Sequence, residues 1–150
     1  MTLIAGKPFL EHQINFLFKN GLKEIILCGN DENSAIQSYF GNGTRYNVNI
    51  IYSSEGFSLG TGGAIKTAEK YIDGSFIVLN GNSLSDINLK EFFDFHSSKK
   101  DAIASLILKK VDDVRGYKSV KMEGDKVTKL IENDHRVNGL VSTGIFVFDY

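Results

Sequence analysis

Two kinds of apolar segment alternate along this chain, and their alternation constrains the fold more than any other feature. Continuous apolar runs at residues 25–28, 76–79 and 145–148 are typical of strands buried on both faces. Before and between these runs, apolar residues recur at helical spacing, as in residues 10–17 and 64–72. This pattern predicts an α/β fold with a Rossmann-like, mainly parallel twisted sheet and flanking helices.

After residue 100, the sequence no longer alternates between strand and helix patterns and instead predicts a run of strands. Residues 116–122 and 127–131, separated by Glu123-Gly124-Asp125, are typical of a hairpin. In a parallel sheet, ligands bind beyond the carboxyl ends of the strands. We therefore expect the functional residues in three segments, namely residues 28–30, 53–63 and 80–86.

Composition excludes several classes of protein. The chain has 150 residues and a formal net charge of −1, so we expect one domain and no basic surface for nucleic acid. No apolar run reaches the ~20 residues of a membrane helix, and the first residues lack the pattern of a secretory signal. A single cysteine excludes an internal disulfide framework. These features predict a cytoplasmic protein without a membrane partner.

A glycine-rich loop precedes one of the helical patterns. Residues 53–63 contain Gly56, Gly60, Gly62 and Gly63. Glycine lets backbone N–H groups approach a ligand without an intervening Cβ, and a helix N-terminus favours anions. The segment therefore fits a nucleotide-binding loop, and it fits equally well a loop that needs positive φ angles. Spacing alone favours neither interpretation.

Residues 80–86, which follow the second apolar run, also allow a functional and a purely structural interpretation. Asn82 lies nearest to the end of the run and Asp86 four residues further on. A carboxylate after a buried strand is a common magnesium ligand, whereas Asn, Gly, Ser and Asp together favour a plain turn. We expect His96, on an apolar helical stripe, to be a core or boundary residue, and Cys28 to be buried.

Together these segments resemble the sugar-1-phosphate nucleotidyltransferases, and among them the mannose- and heptose-1-phosphate guanylyltransferases. The matching segments occur in the family's order, at residues 6–12, 21–27, 39–41, 59–65, 79–88, 127–132 and 144–148. Leu59-Gly60-Thr61-Gly62-Gly63-Ala64 and Asn80-Gly81-Asn82-Ser83-Leu84-Ser85-Asp86 are the most specific of them. The resemblance implies a nucleotide-diphospho-sugar transferase fold, with residues 1–150 forming a single partial domain that is incomplete at both ends.

The resemblance also implies a reaction. An oxygen of a sugar-1-phosphate attacks the α-phosphorus of a nucleoside triphosphate, by resemblance GTP, and pyrophosphate leaves. The product is a nucleotide-sugar, a precursor for polysaccharide biosynthesis. Such chemistry depends on positioning and on neutralisation of charge, and the implied cofactor is Mg²⁺.

The resemblance assigns site residues to three groups. The nucleotide group comprises Glu55, Leu59, Gly60, Thr61, Gly62 and Gly81, and the sugar group comprises Tyr117, Glu132, Ser142 and Thr143. Asn82 stands at the metal position, which is usually aspartate, and Lys118 stands where glycine usually follows the tyrosine. The family's catalytic arginine and lysine precede the segment that matches residues 6–12, so the catalytic residues stay unassigned.

Three alternatives stay open from the sequence. The first is an enzyme whose partners are a nucleoside triphosphate and mannose- or heptose-1-phosphate. The second is a catalytically inactive nucleotide-sugar-binding or regulatory relative, which the neutral Asn82 favours. The third is a fragment of the enzyme. Self-association as a homo-oligomer through an exposed sheet edge is also left open.

Overall fold

A computed structural model describes residues 1–30, 34–55, 60–132, 134–135 and 137–150. Helices and strands alternate in the first part, and strands dominate the second. The helices are α1 (Phe9–Lys19), α2 (Ser34–Phe40), α3 (Gly60–Ala68) and α4 (Leu89–Ser97). The strands are β1 (Leu3–Ile4), β2 (Lys7–Pro8), β3 (Glu24–Asn30), β4 (Asn49–Glu55), β5 (Phe76–Leu79), β6 (Ala104–Asp113), β7 (Ser119–Glu123), β8 (Lys126–Ile131) and β9 (Val137–Phe148).

The chain divides into two compact units. Unit 1 comprises residues 1–74, 88–90 and 150, and unit 2 comprises residues 75–87 and 91–149. The assignment of a single partial domain to residues 1–150 stays a prediction. Among the described helices, none combines the length and the hydropathy that a membrane crossing needs.

Unit 1 contains the parallel pair that the sequence predicts. β3 and β4 run parallel, with Ile25 beside Ile50. Helix α1 begins directly after Pro8, where a fixed φ suits the start of a helix, and it buries Ile14 completely. Ile14, Ile25 and Ile50 share one core with Phe40, the last residue of α2. The helical stripe and the apolar run therefore pack against each other as amphipathic elements should.

Unit 2 is built around one long strand. β9 pairs with β5, β6 and β7, and β8 pairs with β7, and every one of these pairs is antiparallel. Ile145 and Val147 of β9 are completely buried, and both pair with residues of β5. The sequence identified β9 only from residue 145, whereas the strand begins at Val137.

The α/β class is confirmed, but the prediction of a mainly parallel sheet is wrong for the described residues. β3 and β4 form the parallel pair, and the five strands of unit 2 form an antiparallel sheet. A continuous apolar run reports burial on both faces, and it carries no information about strand direction. Parallel neighbours need a crossover of a dozen or more residues, whereas two residues separate β7 from β8, so these two strands can pair only in the antiparallel direction.

The structure tests the predicted burial of two side chains, His96 and Cys28. His96 is buried, as predicted, and its ring nitrogens lie 2.8 Å from the Ser105 hydroxyl and 3.0 Å from Asp149 Oδ1. An ionised carboxylate only accepts hydrogen bonds, so Nε2 donates to Asp149 and Nδ1 accepts from Ser105. Cys28 is exposed, against expectation.

Candidate functional site

The glycine-rich segment forms the start of α3 in unit 1. Gly60, Thr61 and Gly62 occupy the first turn of this helix and are exposed. Among the described residues, nothing lies within 4 Å of where a Cβ would stand at Gly60 and Gly62. The first backbone N–H groups of a helix have no intrahelical partner and carry a partial positive charge. This turn can therefore receive an anionic or polar ligand on its backbone.

Two predicted nucleotide residues lie at the limits of what the structure describes. Leu59 falls outside the described residues. The backbone of Glu55 ends β4, and its side chain is outside the described part. Two residues earlier, the Ser53 hydroxyl is buried and has no hydrogen-bond partner in the described part of the chain.

A buried carboxylate joins the Gly6-Lys7-Pro8 segment to the rest of unit 1. Glu11 Oε1 lies 2.7 Å from Lys7 Nζ, and the Tyr39 hydroxyl donates to Glu11 Oε2 at 3.0 Å. The hydrogen bond from Lys7 lowers the pKa of Glu11, and that from Tyr39 adds to the effect. Sequence reasoning missed this role of Glu11, although its i,i+4 spacing from Lys7 was a usable signal.

In unit 2, β5 ends in a turn that carries Gly81 and Asn82. The Asn80 N–H donates to Gly144 O at 2.9 Å, and the Ser83 N–H closes the turn on Asn80 O at 3.0 Å. Gly81 and Asn82 are exposed at its tip. The turn is therefore fixed at both ends, and its two middle residues are left accessible to a ligand.

Gly144 allows β9 to approach this turn. Its φ is +78°, and a Cβ built on it would lie 2.6 Å from Ser83 Oγ and 2.7 Å from Asn80 Nδ2. β9 is also irregular at this point, because Ser142 pairs with Leu108 whereas Phe146 pairs with Leu106. Three residues of β9 thus face one residue of β6. Such a bulge redirects side chains, and here it brings Gly144 to the turn after β5.

Three polar residues form a row across the start of β7. Ser119 of β7 pairs with Ile131 of β8 and with Val141 of β9. One position outward, the Ser142 N–H donates to Lys118 O at 3.2 Å, and Lys118 Nζ lies 3.3 Å from Glu132 Oε1. We call Glu132, Lys118 and Ser142 the polar row. The structure therefore brings together the predicted sugar residues Glu132 and Ser142, with Lys118 between them.

Thr143 and Tyr117 flank the polar row. The Thr143 hydroxyl donates to Ile107 O at 3.0 Å, which leaves its oxygen able to accept a hydrogen bond. Tyr117 is exposed and immediately precedes Lys118. The four predicted sugar residues thus belong to one region of unit 2, which also contains Gly81 and Asn82.

A buried hydrogen bond supports the polar row. The Ser119 hydroxyl donates to Asp134 Oδ2, and both residues are buried. Ser119 follows Lys118, and Asp134 lies two residues after Glu132, so this bond ties the segment after β8 to the start of β7. Sequence reasoning missed both residues, because nothing local marks them as a pair.

An exposed ion pair shapes the loop that leads to Tyr117. Arg115 binds the Asp113 carboxylate with Nε and Nη2, the latter at 2.6 Å from Oδ2, and the Arg115 N–H donates to Asp113 Oδ1 at 2.9 Å. These hydrogen bonds lower the pKa of Asp113 to about 2. The Tyr117 N–H then donates to the carbonyl of the fully buried Val114 at 3.1 Å.

The described residues were tested as a magnesium site. Asn82 offers one neutral amide oxygen, whereas Mg²⁺ prefers carboxylate and phosphate oxygens. Within the described ranges, no three His, Cys, Asp or Glu side chains come together as metal ligands. These residues do not by themselves make a magnesium site.

Comparison with known proteins gives the family. The family model described as "Nucleotidyl transferase" matches residues 1–150. The chain belongs to this nucleotidyl transferase family, as its resemblance predicts.

Relatives within the family carry more particular names. The chain is 34% identical over 149 residues to the D-glycero-alpha-D-manno-heptose 1-phosphate guanylyltransferase of Aneurinibacillus thermoaerophilus, with 98% of the chain and 64% of the relative covered. It is 32% identical over 152 residues to the mannose-1-phosphate guanylyltransferase of Mycobacterium tuberculosis, with 99% and 42% covered. The crystal structure of HddC from Yersinia pseudotuberculosis matches with a TM-score of 0.88 and 32% identity, covering 99% of the chain and 66% of HddC. The chain thus spans just under two thirds of the heptose relative and of HddC.

Proposed function

We propose that this chain carries part of a nucleotidyltransferase that joins GTP to a sugar-1-phosphate, of mannose or heptose. An oxygen of the sugar phosphate forms a bond to the α-phosphorus, the bond to the β-phosphate breaks, and pyrophosphate leaves. The products are a nucleotide-sugar and pyrophosphate. The base and the sugar follow from the names of the relatives, one of which, HddC, has also been solved as a complex with GMP-PN.

The observation that carries this proposal is the contact between the β9 bulge and the turn after β5. Gly144 O accepts from the Asn80 N–H, and the absence of a Cβ at Gly144 leaves room for Ser83. A turn proposed for nucleotide contacts and two hydroxyl residues proposed for the sugar therefore lie side by side. A transferase needs its two reacting groups held in this kind of proximity.

The polar row suits a sugar chemically. Glu132 accepts hydrogen bonds from sugar hydroxyls, and the hydroxyl groups of Ser142 and Thr143 can also accept them. The exposed Tyr117 ring offers an apolar surface for a sugar face. In unit 1, the N–H groups of the first turn of α3, which have no intrahelical partner, suit the polar edge of a base or a phosphate.

The test is release of pyrophosphate by the complete protein. We expect release with mannose- or heptose-1-phosphate and Mg²⁺, faster with GTP than with ATP, CTP or UTP. Glu132→Gln should raise the KM for the sugar-1-phosphate by about tenfold, because a charged acceptor is lost. Glu123→Gln, an equal charge change at the far end of β7, is the matched control. Absence of turnover with all four triphosphates contradicts the proposal.

A second candidate is a nucleotide-sugar-binding relative without turnover. The neutral Asn82 at the tip of the turn favours it, since an amide oxygen holds a divalent cation more weakly than a carboxylate. It predicts binding of GDP-mannose without pyrophosphate release, and no gain in Asn82→Asp. Release of pyrophosphate by Asn82→Asp alone would rule this candidate out. The Mg²⁺ requirement itself stays a prediction.

A further inference from the structure

Lys118 lies at the centre of the region proposed for the sugar, although sequence reasoning did not assign it there. Its carbonyl accepts from the Ser142 N–H, and its ammonium lies 3.3 Å from Glu132. Both of its neighbours in the polar row are proposed sugar residues. A ligand that touches Glu132 and Ser142 together therefore has to pass over Lys118.

The Lys118 ammonium remains accessible. The side chains of Lys118 and Glu132 are 72% and 73% exposed. An ammonium has three N–H donors, and the contact with Glu132 uses one of them. Glu132 therefore orients the ammonium and leaves donors available for a ligand.

Charge indicates which part of the ligand this ammonium suits. A sugar-1-phosphate carries about −1.5 to −2 charges at pH 7, because the second pKa of a phosphate ester is near 6. Glu132 alone would repel that group, and Lys118 cancels its charge. Charge-assisted hydrogen bonds to phosphate are also stronger than hydrogen bonds to neutral sugar hydroxyls.

We propose that Lys118, held by Glu132, binds the phosphate group of the sugar-1-phosphate and makes the polar row select phosphorylated over free sugars. This inference rests on the proposed function and names a specificity-determining residue within it. Lys118 acts as a point charge, so arginine can replace it in part, whereas an uncharged side chain of similar length cannot.

The test compares binding of mannose-1-phosphate and of free mannose by titration calorimetry on the complete protein. The wild type should bind mannose-1-phosphate more tightly. Lys118→Met should weaken binding of mannose-1-phosphate by about tenfold, leave mannose within about twofold, and leave GTP unchanged. Lys118→Arg should keep most of the preference.

Lys121→Met is the matched control. Lys121 lies three residues further along the same strand, is exposed and opposes Lys129, and its loss changes the net charge equally. Equal effects of the two Met variants, or an equal loss for mannose and mannose-1-phosphate, would overturn the role of Lys118 while the proposed function stands. A melting temperature lowered in Lys118→Met and Lys118→Arg alike would also overturn it, in favour of a structural role. A wild type that binds GTP but neither mannose-1-phosphate nor heptose-1-phosphate would overturn the proposed function together with this inference.

Discussion

The first turn of α3 and the polar row expose their binding groups in opposite ways. The turn presents backbone N–H groups, and its glycines leave open space around them. The polar row presents side chains, which a buried hydrogen bond and a strand bulge hold in place. Changes in the turn should therefore alter binding with little cost in stability, whereas changes around the row should alter both.

The largest effect should follow from Gly144→Ala. The new Cβ would lie 2.6 Å from Ser83 Oγ, at a φ of +78° that side chains rarely adopt. We expect the free energy of unfolding to fall by about 2–4 kcal/mol, measured with urea. Gly81→Ala, where nothing lies within 4 Å of the added atom, is the control. An equal loss of unfolding free energy in the two variants would show that the bulge in β9 does not hold the turn after β5 in place.

A smaller loss is expected from Ser119→Ala. The substitution removes the hydroxyl that donates to the buried Asp134 carboxylate. The free energy of unfolding should fall by about 1–3 kcal/mol, and affinity for mannose-1-phosphate should fall with it, because the segment carrying Glu132 loses a support. Ser97→Ala, at an exposed position in α4, is the control. A stable variant with unchanged sugar affinity would contradict the supporting role.

Gly62→Ala should separate stability from binding in the turn. Alanine forms helices better than glycine by about 1 kcal/mol, and space for its methyl group is open. We expect the free energy of unfolding to rise by about 0.5–1 kcal/mol while GTP binding weakens, since the methyl group occupies the approach to the backbone. Ala64→Gly, the reverse substitution in the same helix, is the control. Tighter GTP binding by Gly62→Ala would contradict a backbone-built site.

The smallest effect concerns pH. The pKa of Asp113 is lowered to about 2 by its hydrogen bonds to Arg115. A lowered pKa in the folded state contributes stability above the ordinary value of 3.8, and that contribution is lost as the pH falls towards 2. Between pH 4 and pH 2, the melting temperature of the wild type should therefore fall more than that of Asp113→Asn. Asp112→Asn, at the adjacent exposed carboxylate, should behave like the wild type, and the reverse order would refute the pairing.

Sequence reasoning predicted helices α1 and α3 and strand β3 of unit 1, and the hairpin of unit 2, because each has a local signal. The apolar stripe of α1, the run in β3 and the turn at Glu123-Gly124-Asp125 each lie within a few residues. Strand direction in unit 2 and the role of Asp134 depend on residues far apart in sequence. The sequence motifs identified most of the proposed site residues. The strand register of unit 2, which decides which of these residues lie next to each other, had no local signal.

The sequence by itself determined the residue types of the site, including its glycines and the carboxylate at Glu132. Only the tertiary structure decided that Lys118 meets Glu132. Glu123 pairs with Lys126 and Met122 with Val127, but Lys121 pairs with Lys129, so Thr128 is an extra residue in β8. Without that extra residue the pairing would place Ile131 opposite Lys118. A shift of one residue turns every side chain of a strand to the other face, so the extra residue at Thr128, which no sequence signal marked, decides which residue lies opposite Lys118.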